Sequence, residues 1–172
     1  VCNDILAVNI MMQTDKEAAE RLLKNVGNDV RRLSHELIPP RFDNATLSEL
    51  VSTYCQSMSA ENGTIVKPFV SRSFEKLNLP SRTALEVYRI VQESVSNAIK
   101  YGYSKMITVT LDASNNQASL CIANDISREH PITQGKMGIG KDTLKMRTEA
   151  LKAVLTISEQ DEEYKVEVRF PL

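Results

Sequence analysis

The chain has 172 residues, of which 42% are hydrophobic and 25% charged, with a formal net charge of −1. That length suits one large domain or two small ones, each with a proper core. The near-zero charge excludes a general electrostatic pull toward nucleic acid or an anionic membrane, and no apolar run approaches the roughly 20 residues that span a bilayer.

The chain opens on Val1 without Met, and its first residues read as helix interior, as expected of a piece of a longer protein. Ile5, Val8, Met11 and Met12 give a short first helix one apolar face. Asp15 opens a longer helix whose stripe is Leu22, Leu23, Val26, Val30, Leu33 and Leu37. Steps of three and four suit a helical hairpin or a coiled-coil seam, whose facing helices come from another chain. Pro39-Pro40 ends it, because proline cannot continue a helix. A third helix is expected from about Thr46 to Ala60, closed by the turn signal Glu61-Asn62-Gly63.

From Thr64 the pattern changes. Residues 64–70 read as a strand, with Pro68 pointing to a sheet edge or a strand end. A long helix is expected over 81–101, with Ala84, Val87, Tyr88, Val91, Val95 and Ala98 inward. Strands follow at 105–112, 117–123 and 153–159, a helix at 140–151, and a last strand at 163–170 with Tyr164, Val166, Val168 and Phe170 on one face. The sum is an α+β fold: a helical hairpin over 1–40, then a domain over 41–172 with a mixed sheet. Cys2, Cys55 and Cys121 are an odd number without CxxC spacing, which predicts free thiols in a reducing compartment.

The long helix carries a polar edge inside the stretch QESVSNAIKYG. Glu93, Asn97 and Lys100 are spaced by four and three, so they share one narrow stripe, with Tyr101 beside it. Alone, such a stripe is an ordinary solvated helix face with an i,i+4 pair. Two later stretches change its meaning. Asn124-Asp125 stand just after a strand pattern, where an Asx turn is the plain alternative. KMGIGKDT then puts Gly138 and Gly140 before a helix, where backbone N–H groups approach a phosphate closely. The P-loop pattern GxxxxGK[ST] is absent.

In the segments RRLSHELIPPRFDNATLSEL, LEVYRIVQESVSNAIKYG, GIGKDTLKMRTEAL and VEVRFPL the chain resembles the sensor histidine kinases of two-component signalling. The likeness is to the NarX and DesK kind, in which a dimerisation hairpin precedes a GHKL-type ATP-binding α/β sandwich. The resemblance implies ATP and Mg²⁺ as cofactors. Asn97 would hold Mg²⁺ through its amide oxygen, Lys100 would contact the phosphates, and Tyr101 would flank the nucleotide. Glu93 would be the acid that orients water or metal, and Gly138 and Gly140 would belong to the ATP lid. Arg147 matches a family arginine with a structural role. The implied partners are a second copy, joined through the amino-terminal helices, and the receiver domain of a response regulator. The implied location is the cytoplasm, with any membrane anchor in segments outside the chain.

The chain also departs from the family. Where the family has Asp-Asn-Gly-x-Gly to read adenine, this chain has ANDISRE, without either glycine. The alternation of Leu120 and Ile122 puts Asn124 at the family's Asp position, with Asp125 as second choice. A phosphoacceptor histidine is expected about three residues before Val1. His35 matches the second hairpin helix, His130 the lid, and Asn3 an amide that positions water for phosphatase action. The absent glycines leave a rival reading: a degenerate relative that has lost ATP and holds partners or dimerises. A further rival is a GHKL ATPase of another kind, against which the hairpin stands.

Overall fold

A computed structural model describes residues 16–23, 26–27, 42, 45–102, 104–126, 138–160 and 162–172. The chain forms two compact units, Val1–Pro40 and Arg41–Leu172. In the first, residues 16–23 and 26–27 are helical, and Ala19 and Val26 are buried while Leu23 is exposed. The short first helix, the stripe from Val30 to Leu37, and Asn3, His35, Pro39 and His130 lie outside the described residues.

The second unit starts with α1 (Leu47–Asn62), then β1 (Ile65–Val70) and the single turn α2 (Arg72–Glu75). The long helix α3 (Ser81–Gly102) follows, then β2 (Met106–Ser114) and β3 (Gln117–Asp125). Helix α4 (Gly138–Ala150) precedes β4 (Val154–Gln160) and β5 (Glu163–Pro171). The five strands lie in the order β1-β2-β3-β5-β4. β1 runs parallel to β2, and every other pair is antiparallel, so the sheet is mixed as expected.

Local chemistry explains the boundaries. Thr46 caps α1: its hydroxyl accepts from the Glu49 N–H at 3.3 Å, and Glu49 Oε2 accepts from the Thr46 N–H at 2.8 Å. This reciprocal box satisfies two donors that a helix start leaves over. Those bonds hold the Glu49 carboxyl below its ordinary value. Gly63 ends α1 in the left-handed region, at φ 69°, which glycine adopts without strain. Pro68 sits within β1 at the sheet edge, where its missing N–H breaks no ladder. β2 and β3 join through Asn115 and Asn116, both with positive φ, the geometry of a tight hairpin turn.

The core lies between one face of the sheet and the helices. Ile107, Val109 and Leu111 of β2, Ala118, Leu120 and Ile122 of β3, and Val166, Val168 and Phe170 of β5 are all buried. Helix α3 meets them with Ala84, Val87, Val91, Val95 and Ala98. The valine, leucine, isoleucine and phenylalanine side chains among them contribute roughly 1.5–3 kcal/mol each when fully buried. Ile90 and Ser94 are buried as well, so α3 buries a wider arc than its predicted stripe, because both α1 and α4 pack against it. Tyr54 of α1 and Tyr88 of α3 meet edge to face, 6.0 Å between ring centres.

Two expected boundaries are corrected. Asn124 and Asp125 lie within β3, because its ladder with β5 continues to the pair Asp125–Glu163, so no Asx turn forms there. Gly138 and Gly140 are inside the first turn of α4 and not in a loop before it. Glycine is poor in a helix interior, but in the first turn the N–H groups lack intrahelical partners, so such positions still present donors outward.

Candidate functional site

The polar edge of α3 reaches the surface. Glu93 and Asn97 are half-buried and Lys100 is exposed, while Val91, Val95 and Ala98 on the neighbouring face are buried. Asn97 Nδ2 donates to Glu93 Oε1 at 3.0 Å, one turn away. A carboxylate only accepts, so this bond fixes which end of the amide faces Glu93. Among the described residues Asn97 Oδ1 accepts no hydrogen bond. It is a hard oxygen donor held outward, the type Mg²⁺ prefers. Tyr101 is helical, and its side chain lies outside the description.

Asn124 is 4% exposed and, as the alternation predicts, shares the inward face with Leu120 and Ile122. Its Nδ2 donates to Ser104 Oγ at 2.9 Å and to the Asp125 carbonyl at 3.0 Å. Ser104 lies just beyond the end of α3, so this contact brings the polar end of α3 and the end of β3 to the same end of the sandwich. Asp125 turns to the opposite face. Its carboxylate accepts from the backbone N–H groups of Lys105 at 3.3 Å and Met106 at 3.2 Å, clamping the start of β2. It is exposed and stands apart from Asn124's side of the sheet.

The chain leaves β3 at the Asn124 end and re-enters the sheet in β4 at the other end, where Val154 lies level with Arg169. Helix α4 therefore runs back along α3. Its first turn, with Gly138 and Gly140, points toward the Asn124 end, and its last turn lies beside Glu86. The macrodipole directs partial positive charge to that first turn.

No group of three or more His, Cys, Asp or Glu able to hold a metal occurs among the described residues. A divalent ion here would need oxygens from a ligand beside Asn97, which suits a metal shared with phosphates. No described helix is long and apolar enough to cross a membrane.

Sequence reasoning missed Ser104. Its partner Asn124 is twenty residues away, and a lone serine after a helix carries no motif.

No family model matches the chain. It is 24% identical over 136 residues to the sensor histidine kinase MctS of Rhizobium johnstonii, covering 77% of this chain and 29% of that protein. It is 30% identical over 97 residues to the oxygen sensor histidine kinase NreB of Staphylococcus carnosus, covering 56% of this chain and 27% of that protein. The chain thus spans less than a third of the length of these curated relatives. The fold matches the histidine kinase domain of a blue-light activated kinase from Erythrobacter litoralis with a TM-score of 0.60 at 14% identity, over 98% of this chain and 83% of that one. It also matches full-length ShkA, solved with AMPPNP, with a TM-score of 0.54 at 14% identity, over 91% of this chain and 38% of that one. In sequence the chain is similar to two sensor histidine kinases, and in fold to a histidine kinase domain.

Proposed function

We infer that the chain is the catalytic region of a two-component sensor histidine kinase. It takes ATP with Mg²⁺ and transfers the γ-phosphoryl group to a histidine nitrogen, from which an aspartate of a response regulator receives it. The observation that carries this is the pair of amides. Asn97 and Asn124 lie at the same end of the sandwich, each with its nitrogen engaged and its oxygen without a donor among the described residues.

Asn97 Oδ1 would hold Mg²⁺, kept outward by Glu93. Bound there, the metal supplies charge neutralisation for the phosphates. Lys100 is exposed and would meet a phosphate as a point charge. The first turn of α4, through Gly138 and Gly140, offers backbone N–H groups to the same phosphates. Asn124 Oδ1 would accept from the adenine amine, and Tyr101 would flank the nucleotide. Phosphoryl transfer asks mainly for positioning and charge stabilisation, and these groups supply both.

Two copies would pair through the amino-terminal helices, where Leu23 is an exposed apolar residue on the described segment. A chain working this way acts in the cytoplasm. The phosphoacceptor is expected upstream of Val1, so the test uses the chain extended at that end. Incubated with labelled ATP and Mg²⁺, it should take label on the upstream histidine and pass it to a receiver domain. An extended chain that neither binds ATP nor takes label would favour the rival: a relative that has lost ATP and only dimerises or holds a regulator.

A further inference from the structure

We propose that Ser104 sets the base specificity of this site by locking the Asn124 amide so that it only accepts. The site would then select a purine with an amino group at carbon 6 over one with a keto group there. This rests on the nucleotide-binding function inferred above.

A carboxylate in this position would accept whichever way it turned. A carboxamide would not: a flip exchanges its donor and acceptor ends. At Asn124 the flip is opposed from two sides. The Asp125 carbonyl, 3.0 Å from Nδ2, is an acceptor and nothing else. Ser104 Oγ is made an acceptor too, because it donates its own proton to the same carbonyl at 2.7 Å. Toward Nδ2, at 2.9 Å, only its lone pairs are left. A flipped amide would set Oδ1 against the lone pairs of the Asp125 carbonyl, and Ser104 would meet it with a proton only by giving up its own 2.7 Å bond to that carbonyl.

The lock is itself held in place. Ser104 is buried, and its carbonyl accepts from Thr64 Oγ1 at 3.2 Å. The Asp125 carboxylate clamps the next two backbone N–H groups. Asn124 therefore presents an oxygen with no donor among the described residues, from a side chain more than nine-tenths buried. That oxygen is not closed off from solvent, so a ligand that displaces water there is favoured only if it brings an N–H to it. An amino group at carbon 6 brings one. A keto group brings a second set of lone pairs.

The probe pair is ATP and inosine triphosphate, which differ at carbon 6, each titrated with Mg²⁺ into the native chain, Ser104→Ala and Ser104→Thr. The native chain should prefer ATP on the order of 10- to 100-fold, the range that one satisfied against one opposed hydrogen bond commands. Ser104→Ala should lower that ratio at least about fivefold by weakening ATP, since only the Asp125 carbonyl then orients the amide. Ser104→Thr, which keeps the hydroxyl, should retain it.

A ratio unchanged in a folded Ser104→Ala, or a loss shared equally by both nucleotides, overturns the role of Ser104. Should Ser104→Ala not fold, the native ratio still decides, because inosine triphosphate binding as tightly as ATP overturns the lock. A native chain that binds neither nucleotide overturns the nucleotide function itself.

Discussion

The guanidinium of Arg147 lies 2.9 Å from the carboxylate of Glu86, joining α4 to α3 across 61 residues of sequence. Both side chains are half-buried, at 30% and 21% exposure. Arg147 Nε is buried without a partner among the described residues, so the Glu86 contact is what compensates the buried part of this charge. Helix α4 begins at the candidate phosphate-binding turn, and α3 carries Asn97. The pair thus fixes one helix of the site against the other.

Glu86→Gln or Arg147→Met should therefore lower stability by about 1–3 kcal/mol, the cost of leaving a buried polar group without its partner. The double variant, Glu86→Gln with Arg147→Met, should lose less than the sum of the two single losses. Urea unfolding of the two single variants and this double variant measures the coupling. Strictly additive losses would show that the contact contributes nothing.

Thr46→Ala should cost about 1 kcal/mol, because it removes the hydroxyl that accepts from the Glu49 N–H and frees the Glu49 carboxylate that answers it. Thr46→Ser keeps the oxygen and should cost less. Denaturant midpoints at constant slope check both.

Stability should fall on the alkaline side. Burial pushes the Cys55 thiol from its ordinary 9.0 up to about 12. Burial likewise raises Tyr88, Tyr164 and Cys121. The unfolded chain loses the Cys55 proton near pH 9 while the folded chain keeps it. The unfolded state then binds fewer protons, so the stability present below pH 9 is lost as pH rises toward 12. The urea midpoint should drop between pH 8 and pH 10.5, and Cys55→Ala should flatten the drop. A midpoint that holds or rises would contradict the burial of this thiol.

Much of the fold was legible because its signals are periodic. Ile107, Val109 and Leu111, and then Leu120 and Ile122, alternate at strand spacing, and that alternation also carried Asn124 to the inward face. Helix α3 was legible from its helical period and Gly63 from its turn chemistry. Helix α2 escaped, since four residues hold one turn and no period. The Thr46-Leu47-Ser48-Glu49 box, a local pattern at the start of α1, went unread. The site's polar edge was read from spacing alone. Its tertiary contacts were not, because Ser104–Asn124 and Glu86–Arg147 join positions far apart in the chain, and no short pattern encodes such a pair.

Calorimetric titration with AMPPNP, with and without Mg²⁺, tests most directly whether the α3 edge grips a metal-bound triphosphate. The native chain should bind in a Mg²⁺-dependent way. Asn97→Ala should weaken binding by about tenfold or more, equivalent to about 1.4 kcal/mol, with an unchanged far-UV spectrum. Binding of equal strength without Mg²⁺, or in Asn97→Ala, would contradict the assignment of Asn97.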